Sequence, residues 1–156
     1  MIVAATAQDF AALIAGEPPL PWRLPQGSAI APPEVLSMLG GLADTIRADF
    51  DPTAWLIIDD GAVVGLMSLV VPYAQRTIRI GYGVAPDFSG RGVATRAVAE
   101  LLAWVRLDPR VDRVTAETST SNIASQLVLT RNGFARIGTR FDEEDGDLIV
   151  WQALTG

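Results

Sequence analysis

Two short segments hold the residues whose types and spacing could do chemistry. Gly81-Tyr-Gly-Val-Ala-Pro-Asp-Phe-Ser-Gly-Arg-Gly-Val-Ala-Thr95 reads as a strand that runs into a glycine loop and opens a helix. A loop of that kind turns bare backbone N–H groups toward an anion, and the helix start adds its partial positive charge. Asn122-Ile-Ala-Ser-Gln-Leu-Val-Leu-Thr-Arg-Asn-Gly-Phe134 reads as a capped helix that stops at Asn132-Gly133 before an aromatic strand start. Together they point to a phosphate-bearing ligand. Three readings of the glycine loop compete. Gly90-Arg-Gly92-Val-Ala-Thr95 with Asp112 about twenty residues on imitates the dinucleotide fingerprint, but its third glycine is Thr95 and Pro86-Asp87-Phe88 intrudes between strand and loop. A plain strand-to-helix connector and a different phosphate ligand remain.

The residue types that are missing narrow the chemistry further. The chain has no cysteine, no histidine and no lysine; all twelve basic residues are arginines. Disulfides, thiolate nucleophiles, Ser-His-Asp triads, Schiff-base lysines and nearly all zinc sites are thereby excluded. A Walker-type phosphate loop is excluded too, since it needs its lysine. What remains is carboxylates, hydroxyls, arginines, backbone dipoles or a cofactor. The net charge of −6 argues against nucleic acid and for a cationic substrate, although much of the acid lies in Asp142 to Asp147, which reads as a solvated hairpin tip.

The surrounding elements follow from composition and periodicity. A chain of 156 residues, 49% hydrophobic and 19% charged, is expected to form one globular domain over residues 1–156. No apolar run reaches the ~20 residues that span a bilayer, and the start lacks a signal-peptide pattern, so no membrane partner and a cytoplasmic location are expected. Ala7 to Ala15 suits a short helix, the proline-rich stretch from Pro18 to Pro33 an extended or turning loop, and Pro33 to Ile46 a second helix. Trp55–Asp59 and Ala62–Val71 flank Asp60-Gly61 as a hairpin, and Thr77–Val84 is a third strand. Gly92 to Arg106 is an amphipathic helix. Arg113–Glu117 is a strand, Asn122–Arg131 a helix, and Phe134–Phe141 with Leu148–Ala153 a closing hairpin around Asp145-Gly146. The sum is a mixed α/β domain.

Placed together, Ile80-Gly-Tyr-Gly-Val-Ala-Pro, Gly90-Arg-Gly-Val-Ala-Thr and Asn122-x-x-Ser125-x-x-Val-Leu-x-x-x-Gly133-Phe134 resemble the GNAT N-acetyltransferases, nearest the subgroup that acetylates N-terminal amines of ribosomal proteins. The resemblance covers about residues 53 to 154, leaving 1–50 as a variable acceptor-side region. It implies a mostly antiparallel central sheet flanked by helices, acetyl-CoA as cosubstrate, and a primary amine as acceptor. It also implies that the backbone of Gly90, Arg91, Gly92, Val93, Ala94 and Thr95 binds the pyrophosphate. Ser89 stands where the family motif has Gln or Arg.

Val84 is implied to present its backbone to the pantetheine arm or thioester, and Asn122 to hydrogen-bond the arm; Asn122 as a helix cap alone stands beside this. Many relatives carry a proton-donating tyrosine seven residues after the Asn, where this chain has Leu129, so the role passes by resemblance to Ser125. Glu117, at the end of its strand, is the best-placed general base; the other reading is a glutamate facing solvent or an arginine. Trp22-Arg23 and the tip at Phe141 to Asp147 either wall the acceptor cleft or, for Trp22, anchor a loop packed across the sheet edge. An acyl-CoA-binding module without turnover is the alternative that Leu129 and Ser89 favour. The acceptor and the oligomeric state, a homodimer included, stay open.

Overall fold

A computed structural model describes residues 1–26 and 29–156. Its elements are β1 (Ile2–Ala4), α1 (Ala7–Ile14), α2 (Pro33–Ile46), β2 (Ala54–Asp59), β3 (Ala62–Leu69), β4 (Thr77–Val84), α3 (Val93–Val105), β5 (Arg113–Ser119), α4 (Ile123–Arg131), β6 (Ala135–Asp142) and β7 (Gly146–Leu154). Local chemistry sets several boundaries. Thr6 and Asp9 form a reciprocal capping box that starts α1. Pro33 occupies the first turn of α2, where a missing N–H costs nothing. Gly133, at φ +79°, lets the chain leave α4 for β6.

The seven strands form one sheet in the order β1-β2-β3-β4-β5-β7-β6, antiparallel except between β4 and β5. Both faces of its centre are covered, so β3 is buried along its whole length. On one face Ile78, Ile80 and Met67 pack against Ala97, Val98 and Leu101 of α3 and Leu129 of α4. On the other, Leu56, Val63 and Leu66 pack against Phe10 of α1 and Leu36 and Ala43 of α2. The expected mixed, mostly antiparallel sheet flanked by helices is the architecture found.

The differences are local. Strand β1 has no counterpart in the expected elements: three residues are too few to carry a period, and β1 exists because it pairs with Trp55 to Ile57. Strand β3 ends at Leu69 rather than Val71, while β5 runs two residues past Glu117 to Ser119. In the proline-rich stretch, Gly27 and Ser28 lie outside the described residues. Arg23 within it bridges to Ala62, and Trp22 packs on the α1/α2 core, which matches the loop-anchoring reading of Trp22.

Candidate active site

The site begins where the sheet comes apart. Strands β4 and β5 pair from Thr77↔Arg113 to Ile80↔Ala116 and no further, although β4 continues to Val84 and β5 to Ser119. Beyond that point the two strands diverge. Gly81 to Val84 therefore present a strand edge to a gap. On the α3/α4 side the gap is a cleft of about 410 Å³, lined by Tyr82, Gly83 and Val84 of β4, by the glycine loop, and by Asn122, Ser125 and Val128.

The loop is built to leave donors free. A single 3₁₀ turn at Pro86–Phe88 ends when Ser89 donates both its N–H (3.2 Å) and its hydroxyl (2.7 Å) to the Pro86 carbonyl. Ser89 lines the cleft, but its hydroxyl proton is spent on the turn. Gly90 and Gly92 follow at φ +75° and +74°, a region that strains any residue with a Cβ. Gly92 is the N-cap of α3 and offers no side chain to the first turn. Among the described residues, none of the backbone N–H groups from Gly90 through Thr95 donates to a protein acceptor; the first to do so is Arg96, to the Gly92 carbonyl at 3.0 Å. Six consecutive donors at a helix start make a cradle for a polyanion. Val93 is buried in the core at the cleft's edge, and Ala94 and Thr95 line the cleft beside it.

Arginines surround the cradle without entering carboxylate pairs. Arg91 stacks over Phe88 at 5.3 Å, and Arg96 donates to the Arg91 carbonyl at 3.1 Å. Arg131, in the last turn of α4, lines the cleft and went unnoticed in the sequence, where it reads as an ordinary C-terminal helix cation.

The opposite wall is α4. The Asn122 side-chain oxygen accepts from the Ser125 N–H at 3.1 Å, so Asn122 caps the helix as well as lining the cleft. Buried Gln126 braces this turn by donating to the Ser119 and Thr120 carbonyls and accepting from Arg136. Ser125 lies 2.9 Å from the Tyr82 hydroxyl. Burial pushes the Tyr82 phenol above its ordinary value, and the Ser125 contact partly offsets that. Tyr82 is the residue that sequence reasoning missed. Its position between two glycines on the strand was the available signal. Leu129, by contrast, is fully buried in the core.

Glu117 belongs to a different environment. It accepts from Arg140 through two bonds of 2.5 and 2.7 Å, and Arg79 approaches to 3.6 Å. The Arg140 hydrogen bonds, with the charges of Arg79 and Arg140, hold its carboxyl below the ordinary range against the opposing effect of burial. A carboxylate so held is a poor proton acceptor. These contacts are those of the arginine-facing reading of Glu117.

A second pocket lies on the other face of β4. It encloses about 200 Å³ and shares Tyr82 and Gly83 with the cleft. Neither Trp22 nor the tip at Phe141 to Asp147 lines it; the proline-rich stretch contributes Ile30 and Ala31 instead.

A parted β4–β5 seam with a free-amide helix start defines an acyl-CoA-type transferase scaffold, and comparison with known proteins agrees. The family model described as the acetyltransferase (GNAT) domain matches residues 2–135, and the chain belongs to that family. The match takes in the first fifty residues, which the sequence resemblance had left out. The chain is 30% identical over 104 residues to the Bacillus subtilis (strain 168) protein YdaF, provisionally named a ribosomal N-acetyltransferase. That alignment covers 63% of this chain and 57% of the relative, so the chain matches little more than half of that protein's length. Among solved structures, Mycobacterium smegmatis RimJ in complex with CoA-disulfide superposes with a TM-score of 0.69 at 23% identity, covering 98% of this chain and 80% of its own. A spermidine N-acetyltransferase chimera from Vibrio cholerae and hSSAT gives 0.72 at 17%, covering 99% and 95%. At those identities the superpositions speak for the fold.

Proposed function

We propose that the chain is an acetyl-CoA-dependent N-acetyltransferase that acts on a primary amine by direct transfer. The observation that carries this is the run of free N–H groups from Gly90 to Thr95, which fits a pyrophosphate. Their glycines leave room for phosphate oxygens, and nothing lies within 4 Å of a Cβ built at Gly90. Val84 and Asn122 line the part of the cleft that would take the pantetheine arm. RimJ, solved in complex with CoA-disulfide, shares this fold.

Acetyl-CoA, when bound, supplies a thioester whose carbonyl carbon takes the amine nitrogen: the C–N bond forms, the C–S bond breaks, and the amine gives up one proton. The chain's own part is to receive a departing thiolate. With Tyr82 donating to Ser125, the Ser125 hydroxyl proton is free to hydrogen-bond that sulfur. A CoA thiol resembles cysteine, with a pKa near ~8.5, so a hydrogen bond suffices at pH 7. The base requirement then decides the acceptor. An α-amine of pKa about 8 costs roughly 1.4 kcal/mol to deprotonate at pH 7, against nearly ~5 for a lysine. With Glu117 tied to Arg140, a protein N-terminus or a small amine of low pKa is the better acceptor.

The test is thiol release from acetyl-CoA across a panel of amines and N-terminal peptides, paired with thermal melts. Turnover supports the enzyme. A melting shift with no release across the panel supports the acyl-CoA-binding module, which the apolar Leu129 at the usual donor position favours. No shift overturns both.

A further inference from the structure

Apart from Ser68 and Tyr82, the pocket behind β4 is lined by aliphatic residues and glycines. Its floor is Leu66 and Ser68 of β3, with Val70 just beyond that strand, beside Gly81 and Gly83 of β4, strands in register as Leu66↔Gly83 and Ser68↔Gly81. Its roof is Val35 and Leu39 of α2, closed at one end by Ile30. No charged residue lines it among the described residues. Ser68 is 2% exposed and lines the pocket, where its hydroxyl can meet a ligand donor or acceptor. Tyr82 and Gly83 line both this pocket and the cleft, and no described atom lies within 4 Å of a Cβ added at Gly83.

We infer that this pocket selects the acceptor: a primary amine whose neighbouring substituent is apolar, seated against Leu39 and Leu66 with Ser68 as a polar contact. The inference rests on the acetyl-transfer reading above. A polyamine is disfavoured, because its second ammonium would enter a pocket with no carboxylate to pair it. A peptide beginning with Leu and free leucinamide present the same apolar substituent on an α-amine of pKa about 8, and the experiment separates them.

Acetylation rates are compared for peptides beginning with Leu, Gly and Asp, for leucinamide, and for spermidine. A kcat/KM for the Leu peptide or leucinamide at least tenfold above the Gly and Asp peptides and spermidine is expected, as burying a Leu-sized group warrants. The larger of the two apolar rates names the source. Val35→Trp, at a residue 37% exposed and so tolerant of change, should fill the pocket and cut the apolar advantage to less than threefold. Leu39→Trp should do the same, and the acetyl-CoA melting shift of both variants should equal wild type. Equal or faster turnover of spermidine or the Asp peptide, or an apolar advantage untouched by both variants, overturns the pocket assignment while leaving acetyl transfer in place. A shift without turnover of any acceptor overturns the transfer reading and this inference with it.

Discussion

The two cavities that share Tyr82 and Gly83 are made from different materials. The cleft on the α3/α4 side is walled largely by backbone: a strand edge unpaired with β5 beyond Ile80 and a helix start whose amides find no acceptor among the described residues. The pocket on the α1/α2 side is walled mostly by ordinary aliphatic side chains, with Ser68 and Tyr82 among them. Backbone amides bind any pyrophosphate alike and are indifferent to sequence except where glycine is required. Side chains can be exchanged one at a time. On the proposed assignment, the donor is held by groups that tolerate little change and the acceptor by groups that can be exchanged.

This contrast can be broken most decisively at Gly92. Gly92→Glu adds a Cβ at φ +74° together with negative charge. It should abolish a stabilisation that, at a ligand concentration of 100 Kd, is about 2.7 kcal/mol or roughly 5–10 °C in a domain of this size. Melting curves with and without acetyl-CoA give the answer, and a wild-type shift would mean that the cradle is misassigned. Gly92→Asn, better suited to the left-handed region, controls for strain and should keep part of the shift.

Next in size is the Tyr82–Ser125 pair. Ser125→Ala and Tyr82→Phe should each lower kcat about ten- to a hundredfold, with KM for acetyl-CoA within twofold. The double variant should be no worse than the worse single, because the two hydroxyls act as one unit. Multiplicative losses in steady-state kinetics would dissolve the pair into independent residues.

At the junction, Gly83→Ala tests whether the cavities communicate. Its added methyl meets no atom within 4 Å, so Tm should hold within about 1 °C. Acceptor kcat/KM should nonetheless fall about fivefold, since a methyl would stand in the opening. Unchanged kinetics would place the acceptor path elsewhere.

The smallest effect on catalysis is expected at Glu117. Glu117→Gln should change kcat/KM less than threefold between pH 6 and 9, while removing a hydrogen-bonded ion pair worth about 1 kcal/mol, or roughly 2–4 °C. The folded carboxyl is held below its ordinary 4.5, so the unfolded chain binds the proton more readily. Its contribution to stability is complete above that value and is lost as pH falls through the lower folded value. The Tm gap between wild type and variant should therefore be open at pH 7 and close in acid. A tenfold activity loss at every pH would restore Glu117 to the chemistry.

The same contrast explains how much the sequence disclosed. Gly90, Gly92 and Asn122 were legible because a free-amide loop and a capped helix demand particular residues, and the helix pattern of Val93, Ala97, Leu101 and Val105 is the buried stripe observed. Leu39, Leu66 and Ser68 were not legible, because pocket-lining aliphatics carry the same period as core. Tyr82 was hidden by the alternation of its own strand: it reads as one more inward residue until α4 is placed beside it. The pairing of Glu117 was hidden because its register partner is Val150, while the arginine that holds it, Arg140, comes from one strand further out, a relation only the β5-β7-β6 order creates.

The short seam at Thr77–Ile80 has a mechanical meaning as well. Among the described strands it is the sole backbone pairing between β1–β4 and β5–β7, so the sheet is two leaves bound along a brief spine. A ligand seated in the cleft would touch both leaves beyond that spine: Tyr82 to Val84 from one, and from the other Asn122 and Ser125, carried by the helix that follows β5.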